Sequence, residues 1–213
     1  MTGNKRDYSS TRKEYKDKNL EKKDLLANPL EQFETWLKEA IELDEPEPIS
    51  MTLSTATLEG KPSARTVLLK EVDEEGFIFF SNYNSRKGKE IDKNPLGALV
   101  FFWPRVERQV SVEGIIKKTN GKKSDTYYSS RPVNSRRGAW ASPQSEGIPN
   151  RQYLEKIFAE VEEKKLNQRP PFWGGYLLVP SRIEFWQGRP NRLNDRFLYI
   201  KFNTGWEISR LAP

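Results

Sequence analysis

Residues 50–82 read SMTLSTATL, EGKP, SARTVLLKEV, DEEG and FIFFSN in succession. Three runs rich in Val, Ile, Thr and Phe alternate with turns built on Gly and Pro, the signature of strands joined by short loops. Loops of four to six residues are too short for βαβ crossovers, so the strands at residues 50–58, 64–72 and 77–82 are expected to run antiparallel. Outward from this core the pattern continues at residues 96–103 and 108–118, and again at 176–186, 195–202 and 206–211. Helical spacing of Leu30, Phe33, Leu37, Ala40 and Ile41 after Asn28-Pro29 predicts an amphipathic helix to about Leu43. Shorter helices are expected at residues 85–94 and 123–131, and a longer one at 150–165. The sum is a mainly β (α+β) fold, an antiparallel barrel with peripheral helices. One domain over residues 25–213 follows, preceded by a charged segment over 1–24 with few aliphatic residues, which reads as flexible.

The composition excludes whole classes of chemistry. The 213 residues contain no cysteine and no histidine. There is no thiolate nucleophile, no imidazole base and no disulfide, and no Cys/His metal cluster or glycine-rich phosphate loop. A catalyst with this inventory draws its hard chemistry from a bound cofactor. The 36 Lys+Arg against 30 Asp+Glu give a net charge of +6, with a pI near 9.3 and a mean hydropathy of −0.82. Residues 1–24 hold eight basic and five acidic side chains, so 8 − 5 = +3 of that charge lies in the tail. The charge therefore does not mark a nucleic-acid groove, and neither nucleic acid nor membrane is expected as a partner. With no apolar leader at the N-terminus, a cytoplasmic location is expected.

Three segments collect groups suited to anions. Ser85 is a good N-cap, which puts Arg86 and Lys87 in a first helical turn where cations oppose the helix dipole. A bound anion would relieve that conflict. Tyr127 and Arg131 share a helix face ahead of Pro132, and Ser135 can fold back beside them. Residues 184–196 gather Trp186, Arg189, Arg192 and Arg196 around a Gly/Pro turn, a surface for a planar anionic heterocycle. Arg65 and Lys70 flank an apolar run, and strict alternation would put them on opposite faces unless a bulge or strand end intervenes. Gln109 and Gln144-Ser145 add neutral hydrogen-bonding groups. Two phosphate-binding sets on a barrel suit a flavin mononucleotide enzyme with a phosphorylated substrate.

The runs Arg65-Thr-Val-Leu-Leu-Lys70, Ser85-Arg-Lys87, Glu107-Arg-Gln-Val110, Ser130-Arg-Pro132, Phe172-Trp-Gly-Gly175, Glu184-Phe-Trp-Gln-Gly188 and the ending Arg210-Leu-Ala-Pro213 closely resemble the pyridoxine (pyridoxamine) 5′-phosphate oxidase family. The resemblance implies a split-barrel homodimer with FMN at its interface. It implies oxidation of pyridoxine or pyridoxamine 5′-phosphate by O2 to pyridoxal 5′-phosphate and H2O2. It implies FMN contacts at Arg65, Thr66, Val67, Leu68, Leu69, Lys70, Phe80, Ser81, Arg86, Lys87, Gln109, Gln144, Ser145, Trp186 and Arg196. It implies substrate contacts at Lys70, Tyr127, Arg131 and Ser135, with Arg12 and Tyr15 in an N-terminal lid. Arg192 and Asn194 are implied beside the reacting ring, with Asn194 standing where the family pattern Arg-Leu-His-Asp-Arg has histidine. A flavin oxidase with another substrate and a non-catalytic flavin or pyridoxal-phosphate carrier remain the alternatives.

Overall fold

Nine strands form one curled antiparallel sheet in the computed structural model, which describes Thr11, Glu14, Tyr15 and residues 19–213. In chain order they are β1 Ser50–Ala56, β2 Pro62–Leu68, β3 Glu71–Asp73, β4 Gly76–Asn82, β5 Leu96–Trp103, β6 Arg108–Lys118, β7 Trp173–Gln187, β8 Asp195–Phe202 and β9 Gly205–Leu211. The order across the sheet is β2-β1-β5-β6-β7-β4-β3, with β8 and β9 continuing from β7. Among the described residues five α-helices lie around it: α1 Pro29–Glu42, α2 Arg86–Lys93, α3 Gly121–Ser130, α4 Val133–Ala141 and α5 Arg151–Ala159. The expected split-barrel architecture with peripheral helices is thus realised. Among the described residues no helix is long and apolar enough to cross a membrane.

Alternation along the strands fixes two faces. Met51, Leu53, Leu99, Phe101, Val110, Val112, Ile183, Phe185, Phe197 and Tyr199 are all buried on the inner face. Helix α1 closes this face, begun by an Asn28 cap that accepts from the Leu30 N–H. Its Phe33 is fully buried against Phe77, Phe101 and Trp103, a burial that stabilises by about 2–3 kcal/mol. Arg108 lies over Trp36 and pairs with Glu39, tying the helix to β6. The packed domain reaches back beyond residue 25. Leu20 is buried in the core, its N–H bonded to Asp195, and Lys22–Asp24 form a 3-10 turn.

The strand expected over residues 64–72 is two strands. At its middle the Leu69 N–H bonds to Ile49 O while the Lys70 N–H bonds to Ile78 O. The chain leaves one partner strand for another there, which breaks the alternation between Arg65 and Lys70. The long helix expected at residues 150–165 stops at Ala159 and resumes as a 3-10 turn at Glu163–Asn167. Helix α4, over Val133–Ala141, was not among the expected helices. It is held by Arg136 and Arg137, which donate to the carbonyls of Leu166 and Val161.

Candidate functional site

The first anion set lies at the start of α2. Ser85 caps this helix by accepting from the Gly88 N–H. Arg65 reaches the same place from β2, whose register sets it opposite Leu53 on the inner face. Its guanidinium donates to Thr55 Oγ1 at 2.6 Å and approaches Glu90 at 3.3 Å. Arg86 donates to the other Glu90 oxygen at 2.9 Å. Lys87 is only 8% exposed, yet among the described residues its ammonium meets only neutral acceptors, Gln144 Oε1 at 3.0 Å and Ser85 Oγ at 3.3 Å. Gln144 Oε1 also accepts from Ser81.

Burial pushes the Lys87 amine down to about 8, helped by the nearby Arg65 charge and only partly opposed by Glu90. Burial alone would raise Glu90. Hydrogen bonds from Ser63, Thr55 and Arg86 outweigh it and hold that carboxyl at about 2. The set carries three cations and one anion, 3 − 1 = +2, at a helix N-terminus. That matches the charge of about −1.5 to −2 on a phosphate monoester. A cleft of about 460 Å3 opens here, lined by Arg86, Glu90, Gln144 and Ser145 among others.

The second set lies where β4 meets α3. Tyr127 stacks on Phe80 at 3.9 Å between centroids and lies nearly parallel to Trp173 at 6.2 Å. Arg131 caps the stack, its guanidinium 4.6 Å from the Trp173 ring centre. Its Nη1 is buried with no hydrogen-bond partner among the described residues. A buried guanidinium nitrogen left unpaired is costly, and an anionic ligand removes the cost. Burial depresses the Arg131 pKa and raises that of Tyr127. Lys70, Phe80 and Tyr127 line a second cleft of about 470 Å3. Ser135 sits in the first turn of α4, and its hydroxyl makes no hydrogen bond among the described residues.

The remaining predicted residues lie elsewhere. Gln109, Trp186 and Arg196 are consecutive partners across β6, β7 and β8, in one row with Phe102 of β5. Their chain neighbours Val110, Phe185 and Phe197 are buried, so the row occupies the outer face, opposite to Arg65. Arg196 makes a bidentate pair with Glu184 at 2.8 and 3.1 Å. Tyr15 meets Trp186 edge-on at 5.5 Å and lies so close to Gly188 that a Cβ there would be 2.7 Å from its ring. Arg192 is exposed with a left-handed backbone at φ 62°, on the loop between β7 and β8. Asn194 Oδ1 accepts from the Arg189 N–H at 3.0 Å, bridging that loop.

Trp173 and Trp186 stand near the two ends of the same strand, β7. Thirteen residues at ~3.3 Å each make a contour of roughly 40 Å. One chain therefore does not bring the two ends together. Of the run from Arg65 to Lys70, Val67 packs against the core and Leu69 is buried within it, while Thr66 and Leu68 face outward. Arg12 lies outside the described residues. Sequence reasoning overlooked Glu90, although its i,i+4 spacing from Arg86 was visible, and gave no role to Trp173 within its Phe-Trp-Gly-Gly run.

Comparison with known proteins decides the kinship. The pattern of the family described as pyridoxamine 5′-phosphate oxidase matches residues 37–165. That of the pyridoxine 5′-phosphate oxidase C-terminal dimerisation region matches residues 173–213. The chain belongs to the pyridoxamine 5′-phosphate oxidase family. A pyridoxine/pyridoxamine 5′-phosphate oxidase of a Cyanothece species is 51% identical over 208 residues, covering 96% of this chain and 98% of the relative. One from Paraburkholderia phytofirmans is 52% identical over 206 residues, covering 95% and 97%.

Among solved structures, PhzG from Burkholderia lata in complex with tetrahydrophenazine-1-carboxylic acid has a TM-score of 0.86 at 27% identity, covering 94% of this chain and 100% of that one. A pyridoxamine 5′-phosphate oxidase-related, FMN binding protein from Nostoc punctiforme has a TM-score of 0.72 at 17% identity, covering 88% and 98%, and shares the fold. Membership of the family supports FMN as the cofactor.

Proposed function

We propose that the protein is an FMN-dependent oxidase that converts pyridoxine 5′-phosphate and pyridoxamine 5′-phosphate to pyridoxal 5′-phosphate. O2 is the acceptor, giving H2O2, with ammonia released from the amine. One observation carries the reading. The chain builds two separate anion sets on either side of β4, each with a cation that has no salt bridge among the described residues: buried Lys87 in one, and in the other half-buried Arg131 with its Nη1 buried. A flavin mononucleotide and a phosphorylated substrate need one each. When bound, FMN supplies the hydride acceptor and the route to O2.

The chain's own residues do the holding. Arg65, Arg86 and Lys87 hold the cofactor phosphate at the start of α2. Lys70, Tyr127 and Arg131 hold the substrate phosphate against the Phe80–Tyr127–Trp173 stack. With both phosphates fixed, the two ring systems are set at reacting distance, and orientation lowers the barrier.

The site is completed by a second copy of the chain. Gln109, Trp186, Arg196, Arg192, Asn194 and Tyr15 lie on the outer face or at the far end of β7, out of reach of the anion sets of their own chain. The outer face is apolar where a partner would cover it, with Phe102 51% exposed, Leu96 61% and Ile115 54%. The match to a dimerisation region over residues 173–213 supports the same arrangement.

The likeness to PhzG favours a second reading, a flavin oxidase acting on an unphosphorylated ring. The Arg131 set has no ligand in that case.

Anaerobic addition of pyridoxine 5′-phosphate to the yellow protein tests the proposal. Bleaching of the flavin band by the phosphate ester, but not by pyridoxine, supports it, as does peroxide release on readmitting air. A flavin that stays oxidised would make the protein a carrier or an oxidase of something else.

A further inference from the structure

We propose that Glu90 is the positioning residue of the first anion set, holding the cations in the geometry that recognises a phosphate monoester. The inference rests on the reading that this set takes the cofactor phosphate. Glu90 is 6% exposed and sits on the inward side of α2. Its Oε2 accepts from Thr55 Oγ1 at 2.5 Å and Ser63 Oγ at 2.6 Å, and lies 3.3 Å from Arg65 Nη2. Its Oε1 accepts from Arg86 Nε at 2.9 Å. One carboxylate therefore ties together β1, β2 and the first turn of α2, and both arginines of the set are bound to it.

Each spends one nitrogen on Glu90, which directs the side chain; Arg65 gives its other terminal nitrogen sites to Ser63, Thr55 and Leu53 and keeps Nε–H for a ligand, while Arg86 keeps its Nη donors. The bonds of Arg65 to Leu53 O and Thr55 Oγ1 over-determine its orientation.

Two effects compete when the carboxylate is removed. Loss of one negative charge raises the set from +2 to +3 and would strengthen attraction for any anion. Loss of the anchor lets two long side chains sample other rotamers, which weakens recognition of this anion. The buried, four-donor geometry makes the second effect the larger one.

The experiment compares FMN with riboflavin, which lacks the phosphate, by flavin fluorescence titration of the flavin-free full chain. The wild type is expected to favour FMN strongly, and equal affinities would refute the phosphate reading itself. Glu90→Gln is expected to cut the FMN-to-riboflavin preference at least tenfold while riboflavin affinity holds. A preference that is unchanged or increased in Glu90→Gln, with the wild type discriminating, overturns the positioning role alone. Should Glu90→Gln not fold, Ser63→Ala removes one donor from the same oxygen. A drop of at least twofold is then expected, and an unchanged preference overturns the inference.

Discussion

Replacing Lys87 by methionine should move binding and stability in opposite directions. The side chain is buried, and among the described residues its ammonium hydrogen-bonds only to the oxygens of Gln144 and Ser85. Its pKa falls from 10.5 to about 8, chiefly by burial. That difference corresponds to roughly 3 kcal/mol by which the flavin-free fold disfavours the charge.

The sign follows from the direction. A lysine depressed in the folded state costs its full penalty below pH 8, where both states are charged. The penalty shrinks as pH rises from about 8 to 10.5 and is gone above that. Lys87→Met removes the penalty but loses two hydrogen bonds worth about 1–2 kcal/mol together. The flavin-free variant should gain about 1–2 kcal/mol at pH 7, a rise of several degrees in Tm, and the gain should fade towards pH 10. Its affinity for FMN should drop roughly 10- to 100-fold, the worth of a charge-assisted hydrogen bond, with riboflavin unaffected. Thermal unfolding and fluorescence titration read the two effects. A variant that melts lower without flavin and binds FMN as tightly as before would refute the idea that Lys87 is a charge kept for a phosphate.

Arg131→Met should raise KM for pyridoxine 5′-phosphate roughly 10- to 100-fold and leave FMN affinity intact. Arg131→Lys should recover little of it, because an ammonium lacks the flat face that lies on Trp173. Gly114→Ala should lower Tm by the several degrees that about 2–3 kcal/mol implies. A Cβ there would come 2.0 Å from the Val179 carbonyl oxygen, at the register shift between β6 and β7. Phe102→Asp, on the exposed outer row, should yield a monomer in sedimentation analysis. That monomer should keep its helical and strand content by circular dichroism but lose oxidase activity.

Most strands were legible because alternation and turn chemistry are local. Residues 96–103, 108–118 and 195–202 form strands with the expected limits. The break at Leu69-Lys70 was not legible, because it depends on two backbone N–H groups choosing different partner strands. Helix α4 was hidden for a similar reason. Its sequence carries Gly138 and follows Pro132, and two arginine bonds to distant carbonyls hold it in place. The premature end of α5 belongs with it, since Arg137 takes the Val161 carbonyl. Of the site, the cations at α2 and the Tyr127/Arg131 pair could be read from spacing. Glu90 could not be weighed, because its importance comes from Thr55 and Ser63, which reach it only when β1 and β2 fold over α2. The opposition between Arg65 and the Gln109–Trp186–Arg196 row likewise needs the register of six strands.

That opposition bears on heredity as well as chemistry. If each copy lends its outer row to the other's anion sets, a lesion in Lys87 and a lesion in Arg196 damage different halves of every shared centre. Two such alleles in one cell would form some mixed pairs, and each mixed pair would contain one undamaged centre and one doubly damaged one. Faults on opposite faces of this sheet would then complement each other like faults in separate genes, while two faults on the same face would not.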